Sequence, residues 1–236
     1  MQDAAKRGVE GAVRASETAV GVESKAVICR PLLEAERLAV SDHQVYATYY
    51  QLLNSGVRQP DGDAWDRMRR PTDEILFPGY REDIRMGALT LDGVGVWNYG
   101  DCCLVPRDDM VAHRATVFEE NSVVWMQRHG VRAADPTGPP RGYRASCKAR
   151  GRLAVAKLAH KVHGHASSSG FAGLLLEQGS TSGDDRYIEV HVWGPMTVRT
   201  LEHVVSRRPR TKAGEVLLGA LRERLLKAGV ELTVRP

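Results

Sequence analysis

The ten residues Arg186 to Pro195, Arg-Tyr-Ile-Glu-Val-His-Val-Trp-Gly-Pro, constrain the fold more than any other stretch. β-Branched and aromatic residues alternate with polar ones and stop at Gly-Pro, the mark of a strand closed by a turn. A period of two puts Ile188, Val190 and Val192 on one face and Glu189, His191 and Trp193 on the other. One surface of the strand then carries an acid, an imidazole and an indole. The same spacing fits a half-buried edge strand whose polar face is only solvated, so the rest of the chain has to weigh the two.

A chain of 236 residues can bury a substantial core as one large domain, or as one domain with a helical extension. Its 33 basic and 29 acidic side chains leave a formal charge of +4. That is mild for a dedicated nucleic-acid binder but suits a phosphate-bearing ligand. Cys29, Cys102, Cys103 and Cys147 lack the paired spacing of a zinc site, and neighbours 102 and 103 point to opposite faces of a strand. They read as free, buried thiols in a reducing compartment. No apolar run approaches the roughly 20 residues that span a bilayer, and no apolar segment follows the charges at the amino terminus. The expectation is a soluble protein without membrane insertion, in the cytoplasm of a producing or target cell.

Three regions follow from the patterning. Residues 1–30, rich in Ala, Gly, Val, Glu and Ser, read as a linker or frayed helix. Residues 31–88 read as a helical region. It holds one helix opened by Pro31, a second from Ser41-Asp42 through the Tyr cluster to Gly56, and a turn-rich stretch through Pro60 and Pro71 that could cover a site. Residues 89–236 read as the α+β core. Strands are expected at Gly93–Trp97, Cys102–Val105, Thr116–Phe118, Leu174–Leu176, the Glu189 segment, Met196–Val198 and Val230–Val234. A helix from Gly214 to Gly229 is the clearest in the chain, and Asp135 to Gly142 is a breaker-rich loop.

Several chemistries are disfavoured. There is no G-x-S-x-G elbow, no G-x-x-x-x-G-K-[ST] loop and no G-x-G-x-x-G fingerprint. His160, His163 and His165 sit in a Gly/Ser-rich context without a Cys, as a solvated turn would, and no metal is expected. A nuclease built on Asp184, Asp185 and Glu189 lacks a Lys partner. What remains is one strand-borne carboxylate with arginines and hydroxyls upstream. That set suits cleavage of a glycosidic bond through a cationic transition state, with an Arg gripping phosphates.

Two blocks carry a resemblance. Tyr99-Gly-Asp-Cys-Cys-Leu-Val-Pro-Arg107-Asp-Asp-Met-Val-Ala-His-Arg114-Ala-Thr116-Val-Phe-Glu-Glu-Asn-Ser122 is similar to a segment of ADP-ribosyltransferase-like domains of phage head-associated proteins and bacterial toxins. Tyr187-Ile-Glu189-Val-His191-Val-Trp-Gly, with Leu201-Glu-His-Val-Val beyond it, resembles the closing motif of the same group. The resemblance spans roughly 97–234. It implies a split β-sheet core behind a helical amino-terminal region, with NAD as substrate. Glu189 would be the catalytic acid, Arg107 or Arg114 the phosphate grip, and Thr116 or Ser122 the bracing hydroxyl. Tyr187 and His191 would orient the substrate.

Tyr187 stands where arginine-directed members of the group carry an acid or amide, which speaks against transfer to arginine. Ser180-Thr181-Ser182 copies a bracing motif in letters but lies too close to Glu189 to form its own strand. The expected activity is an NAD-dependent ADP-ribosyltransferase or NAD glycohydrolase, acting as an effector, toxin or phage-associated module. A macromolecular acceptor is implied, and an immunity or inhibitor protein is a further expected partner. Two alternatives stay open. One is a non-catalytic interaction module that keeps the fold. The other is a nucleic-acid-directed enzyme, suggested by Arg207-Arg208-Pro-Arg210 and a basic helix from Lys148.

Overall fold

A computed structural model describes residues 2–56, 64–131, 144–164 and 168–236. The Asp135–Gly142 loop, His165 and most of the turn-rich stretch before α5 lie outside them. Eight strands make one sheet: β1 Lys25–Arg30, β2 Ile84–Thr90, β3 Cys102–Pro106, β4 Ala115–Phe118, β5 Arg144–Ser146, β8 Glu189–Trp193, β9 Leu201–Arg207 and β10 Glu231–Arg235. The short strands β6 Leu176–Glu177 and β7 Arg186–Tyr187 pair with each other. The order across the sheet is β10-β9-β3-β1-β2-β8-β4-β5, antiparallel at every step except β9 with β10. The fold is mixed α and β.

The helices are α1 Gln2–Lys6, α2 Glu10–Glu23, α3 Leu32–Leu38, α4 Tyr49–Asn54 and α5 Ala64–Leu76, then α6 Asp108–Val111, α7 Ser122–Arg128, α8 Arg150–Leu158, α9 Ser168–Leu175 and α10 Lys212–Ala228. One face of the sheet packs on α2, α3, α8 and α10, where Ile28, Leu104, Val190 and Val204 meet Val20, Leu38, Leu153 and Leu221. The other face carries two smaller apolar clusters. One is built around Val27, Cys103 and Val205, the other around Phe77, Phe118 and Trp125. Between them the sheet is polar. None of the described helices is long and apolar enough to cross a membrane.

The sheet divides at β1. Lys25 to Val27 pair with β2, whereas Ile28 to Arg30 pair with β3. Beyond the Val27–Ala88 pair, β2 keeps its bonds to β8 and leaves β1, so the chain opens a gap between Arg30 and Ile84.

Several expectations are corrected here. Residues 1–30 do not form a linker. They supply α2 and the central strand β1, with Val13, Val20, Ala26, Val27 and Ile28 buried. Their small side chains hide this role in the sequence. A Cβ on Gly151 of α8 would strike the Glu17 carbonyl and the Gly21 backbone, so α2 and α8 touch main chain to main chain and have no room for large residues. β2 begins at Ile84, inside the region read as helical. Gly93–Trp97 is a loop crossing the sheet face, Leu174 and Leu175 end a helix, and Met196–Val198 leads into a short 3-10 turn.

The stretch through Pro71 is one helix, Ala64–Leu76, where the sequence suggests turns around only a short helical piece near Ala64 to Met68. Its Arg69–Asp73 pair spans one helical turn across the proline, which has no N–H to give. The cysteines are also not all free. Cys29 and Cys103, directly opposed on β1 and β3, form a disulfide, while Cys102 and Cys147 are free and buried. Cys102 and Cys103 do face opposite sides of the sheet, one in each apolar cluster.

Candidate functional site

Glu189 opens β8 opposite Ala88 of β2 and Phe118 of β4, and its side chain points away from the helical core. It is 2% exposed. The Ser122 N–H, at the first turn of α7, donates to Oε2 at 2.8 Å. Asn121 accepts from the Val123 N–H, and this cap holds the turn in place. Arg69 of α5 stands with Nη1 3.6 Å from Glu189 Oε1 and donates from Nη2 to Ser122 Oγ at 2.9 Å. The same guanidinium pairs with Asp73, which accepts from the Tyr50 hydroxyl at 2.8 Å. His191 Nε2 lies 3.2 Å from Glu189 Oε2, near enough for attraction but off the line of a hydrogen bond.

Burial alone would push the Glu189 carboxyl up. The His191 ring, the Arg69 charge and the Ser122 N–H outweigh it and hold the group at about 2, so it is an anion at neutral pH. The phenols beside it move the other way. Burial, with Glu189 nearby, takes Tyr99 to about 12 and Tyr187 well above its ordinary value, and both stay neutral donors. Asn121 Nδ2 donates to Tyr187 at 2.7 Å and to Tyr99 at 3.2 Å, fixing the two rings beside the carboxylate.

Glu189, Arg69, Asp73, Tyr50, Tyr99, Tyr187 and Asn121 line a cavity of about 140 Å³ that follows the gap between β1 and β2. At the far side stand Arg30 at the end of β1, Arg85 of β2, and Thr48 and Tyr49 at the start of α4. Thr48 and Gln51 form a reciprocal cap that starts α4 there. Arg30 bonds the Tyr46 hydroxyl and lies 3.6 Å from Glu34. Arg85 is 3% exposed and gives its Nη atoms to the carbonyls of Asp83 and Tyr46, and its Nε has no partner. Burial lowers its pKa, and no carboxylate within ion-pair distance offsets that among the described residues. Gly100, at φ 144°, lets the following loop pass: a Cβ there would overlap the Arg30 carbonyl and the Pro31 nitrogen.

Of the residues singled out in the sequence, Glu189, Tyr187, Ser122 and His191 come together. Thr116 touches the cluster from β4, with its hydroxyl 3.5 Å from His191 Nδ1. The two arginines do not. Arg107 follows Pro106 at the opposite end of β3, exposed, with its backbone N–H on the Thr200 carbonyl. Arg114 grips the carbonyls of Met110, Trp193 and Pro195 and pins the turn after β8. The cations that line the cleft are Arg30, Arg69 and Arg85. Arg30 lies in the segment read as linker, Arg85 in the helical region and Arg69 in the turn-rich stretch, and only Arg69-x-x-x-Asp73, an i, i+4 ion-pair spacing, carries a legible signal.

No known family model matches the chain, and no curated protein matches it either. One further cluster brings Glu119, Glu120 and His129 within 4.8 Å of one another. Lys157 sits 3.6 and 3.7 Å from the two carboxylates and Arg128 pairs with Glu120, so the chain already places cations of its own there.

Proposed function

We propose that the chain cleaves the N-glycosidic bond of NAD at Glu189 and passes the ADP-ribose to a macromolecular acceptor or to water. The observation that carries this reading is the ionised Glu189 carboxylate, held by Arg69, His191 and the Ser122 N–H among tyrosines at the bottom of a cleft. When the bond from the ribose anomeric carbon to nicotinamide breaks, positive charge develops on the sugar. A buried anion beside it lowers that barrier most, because it is already oriented and little water screens it. Nicotinamide leaves with the bonding electrons as a neutral ring. The acceptor oxygen forms the new bond and loses its proton.

The cavity has room for part of a dinucleotide rather than the whole. In this reading nicotinamide and its ribose occupy the tyrosine-lined end, and the phosphates lie toward Arg30 and Arg85. The likeness of the two sequence blocks to ADP-ribosyltransferase-like domains supports the same assignment.

A second reading, an interaction module without turnover, has one observation in its favour: both oxygens of Glu189 already face groups of the chain. Release of nicotinamide from NAD by the purified protein, beside Glu189→Gln, separates the two. Turnover in the wild type that falls at least 100-fold in the variant supports the enzyme. A wild type that neither releases nicotinamide nor binds NAD in calorimetry overturns it.

A further inference from the structure

Four arginines gather at the end of the sheet where Arg30 stands, Arg207 and Arg235 on its cleft face and Arg208 and Arg210 in the exposed segment that follows. β9 runs parallel to β1, with Ser206 paired to Cys102 and Cys102 to Arg30, so Arg207 lies just beyond that row. By strand spacing it is roughly 10 Å from β1. Arg235 of β10 is directly opposite Arg207, and the Arg208 N–H bonds the Arg235 carbonyl at 2.9 Å. Arg207 stands two residues after the buried Val205 of the cleft-face cluster, so it shares that face. There its guanidinium stacks on Trp97, 4.7 Å from the ring centroid. Trp97 is two residues from Tyr99, which lines the cleft. Arg208 and Arg210 follow, both exposed.

Like charges on neighbouring strands repel, and here little offsets them. Among the described residues no carboxylate reaches Arg207, Arg208 or Arg210, and Arg235 approaches only the half-exposed Asp92, at 4.0 Å. The other basic stretch behaves differently. In α8, Arg150 is buried against Asp108 at 3.1 Å and Lys157 faces Glu119 and Glu120, so two of its three cations pair within the molecule and only Arg152 is exposed.

We infer that Arg207, Arg208, Arg210 and Arg235, with Trp97, form a docking surface for the phosphate backbone of a nucleic acid, which is the acceptor presented to the cleft. Its role as acceptor rests on the proposed NAD chemistry, whereas the binding itself does not. Guanidinium groups match phosphate oxygens two bonds at a time, and an aromatic ring among them suits a stacked base.

The test is fluorescence anisotropy of end-labelled single-stranded RNA, single-stranded DNA and duplex DNA, without NAD. Four phosphate contacts to a single strand predict an affinity loss of roughly 50-fold between 50 and 200 mM salt. In Arg207→Gln/Arg235→Gln that loss shrinks to roughly 7-fold. The contrast among the three probes tells which nucleic acid is preferred. Arg208→Gln/Arg210→Gln repeats the test on residues outside the strands, in case the first pair disturbs folding. Nicotinamide release in water should be unchanged in both double variants, and ADP-ribose carried by the oligonucleotide should fall with binding. Absence of binding to all three probes at 50 mM salt, or binding indifferent to both double variants, overturns the surface. Binding without any NAD cleavage sinks the acceptor role and the enzymatic reading while leaving the surface. NAD cleavage without binding sinks the surface and the acceptor role while leaving the enzymatic reading.

Discussion

The two sides of strand β8 differ sharply within five residues. Ile188, Val190 and Val192 enter a wholly apolar core, where any side chain of similar volume and shape serves. Glu189 and His191, equally buried at 2%, enter a cluster that also holds Arg69 and Asp73. Removing charges from water costs several kcal/mol each, recovered only when geometry and hydrogen bonds are good. An apolar pair at those positions would hold the sheet as well, so the polar side is a costly arrangement that stability does not require. One strand can do the folding with one face and carry a buried ionised cluster on the other.

The sharpest way to break this contrast is Arg69→Ala. It leaves Glu189 and Asp73 buried without their shared cation, and the expected loss is about 3–5 kcal/mol in urea unfolding. Ile188→Ala, on the other side, should cost about 2–5 kcal/mol through a cavity but leave nicotinamide release per folded molecule unchanged. Equal losses of activity in both variants would show that the faces are not separate. Glu189→Gln should reverse that pattern, with a catalytic loss of about 10²–10³-fold and a smaller change in stability.

A pH titration sharpens the point. Glu189 is held at about 2 in the fold, below its ordinary 4.5, so its contribution to stability is complete above about pH 4.5 and is lost as pH falls toward 2. Wild-type stability should drop through that window more steeply than that of Glu189→Gln, and parallel curves would refute the buried anion. The smallest effect belongs to Arg107→Ala. With the side chain exposed and away from the cleft, stability should move by less than about 0.5 kcal/mol and nicotinamide release not at all. A marked loss of activity would return Arg107 to the site.

How much of this was legible can be followed residue by residue. The alternation around Glu189 was readable because a strand's period of two is local, and the faces fall as that period requires. Helix α10 was readable from Gly214 to its stop at Gly229, φ 70°, because its apolar stripe is local too, whereas its first residues and Thr211 cap were not. The central strand β1 was not. Its neighbours in the sheet are Leu89 and Cys103, and its short apolar run sits behind a helix of small residues whose packing partner, α8, lies more than a hundred residues further on.

The sequence by itself determined which residues alternate, where helices are capped, and that Glu189 stands on a strand facing away from an apolar core. Those are properties of neighbours along the chain. Only the tertiary structure decided that Arg30, Arg69 and Arg85, rather than Arg107 and Arg114, attend that cleft, that Cys29 meets Cys103, and that Arg207 stands beside Arg235. Such meetings depend on strand order and on where β1 leaves β2, which are set by the packing of distant segments and not by the spacing of residues within any one of them.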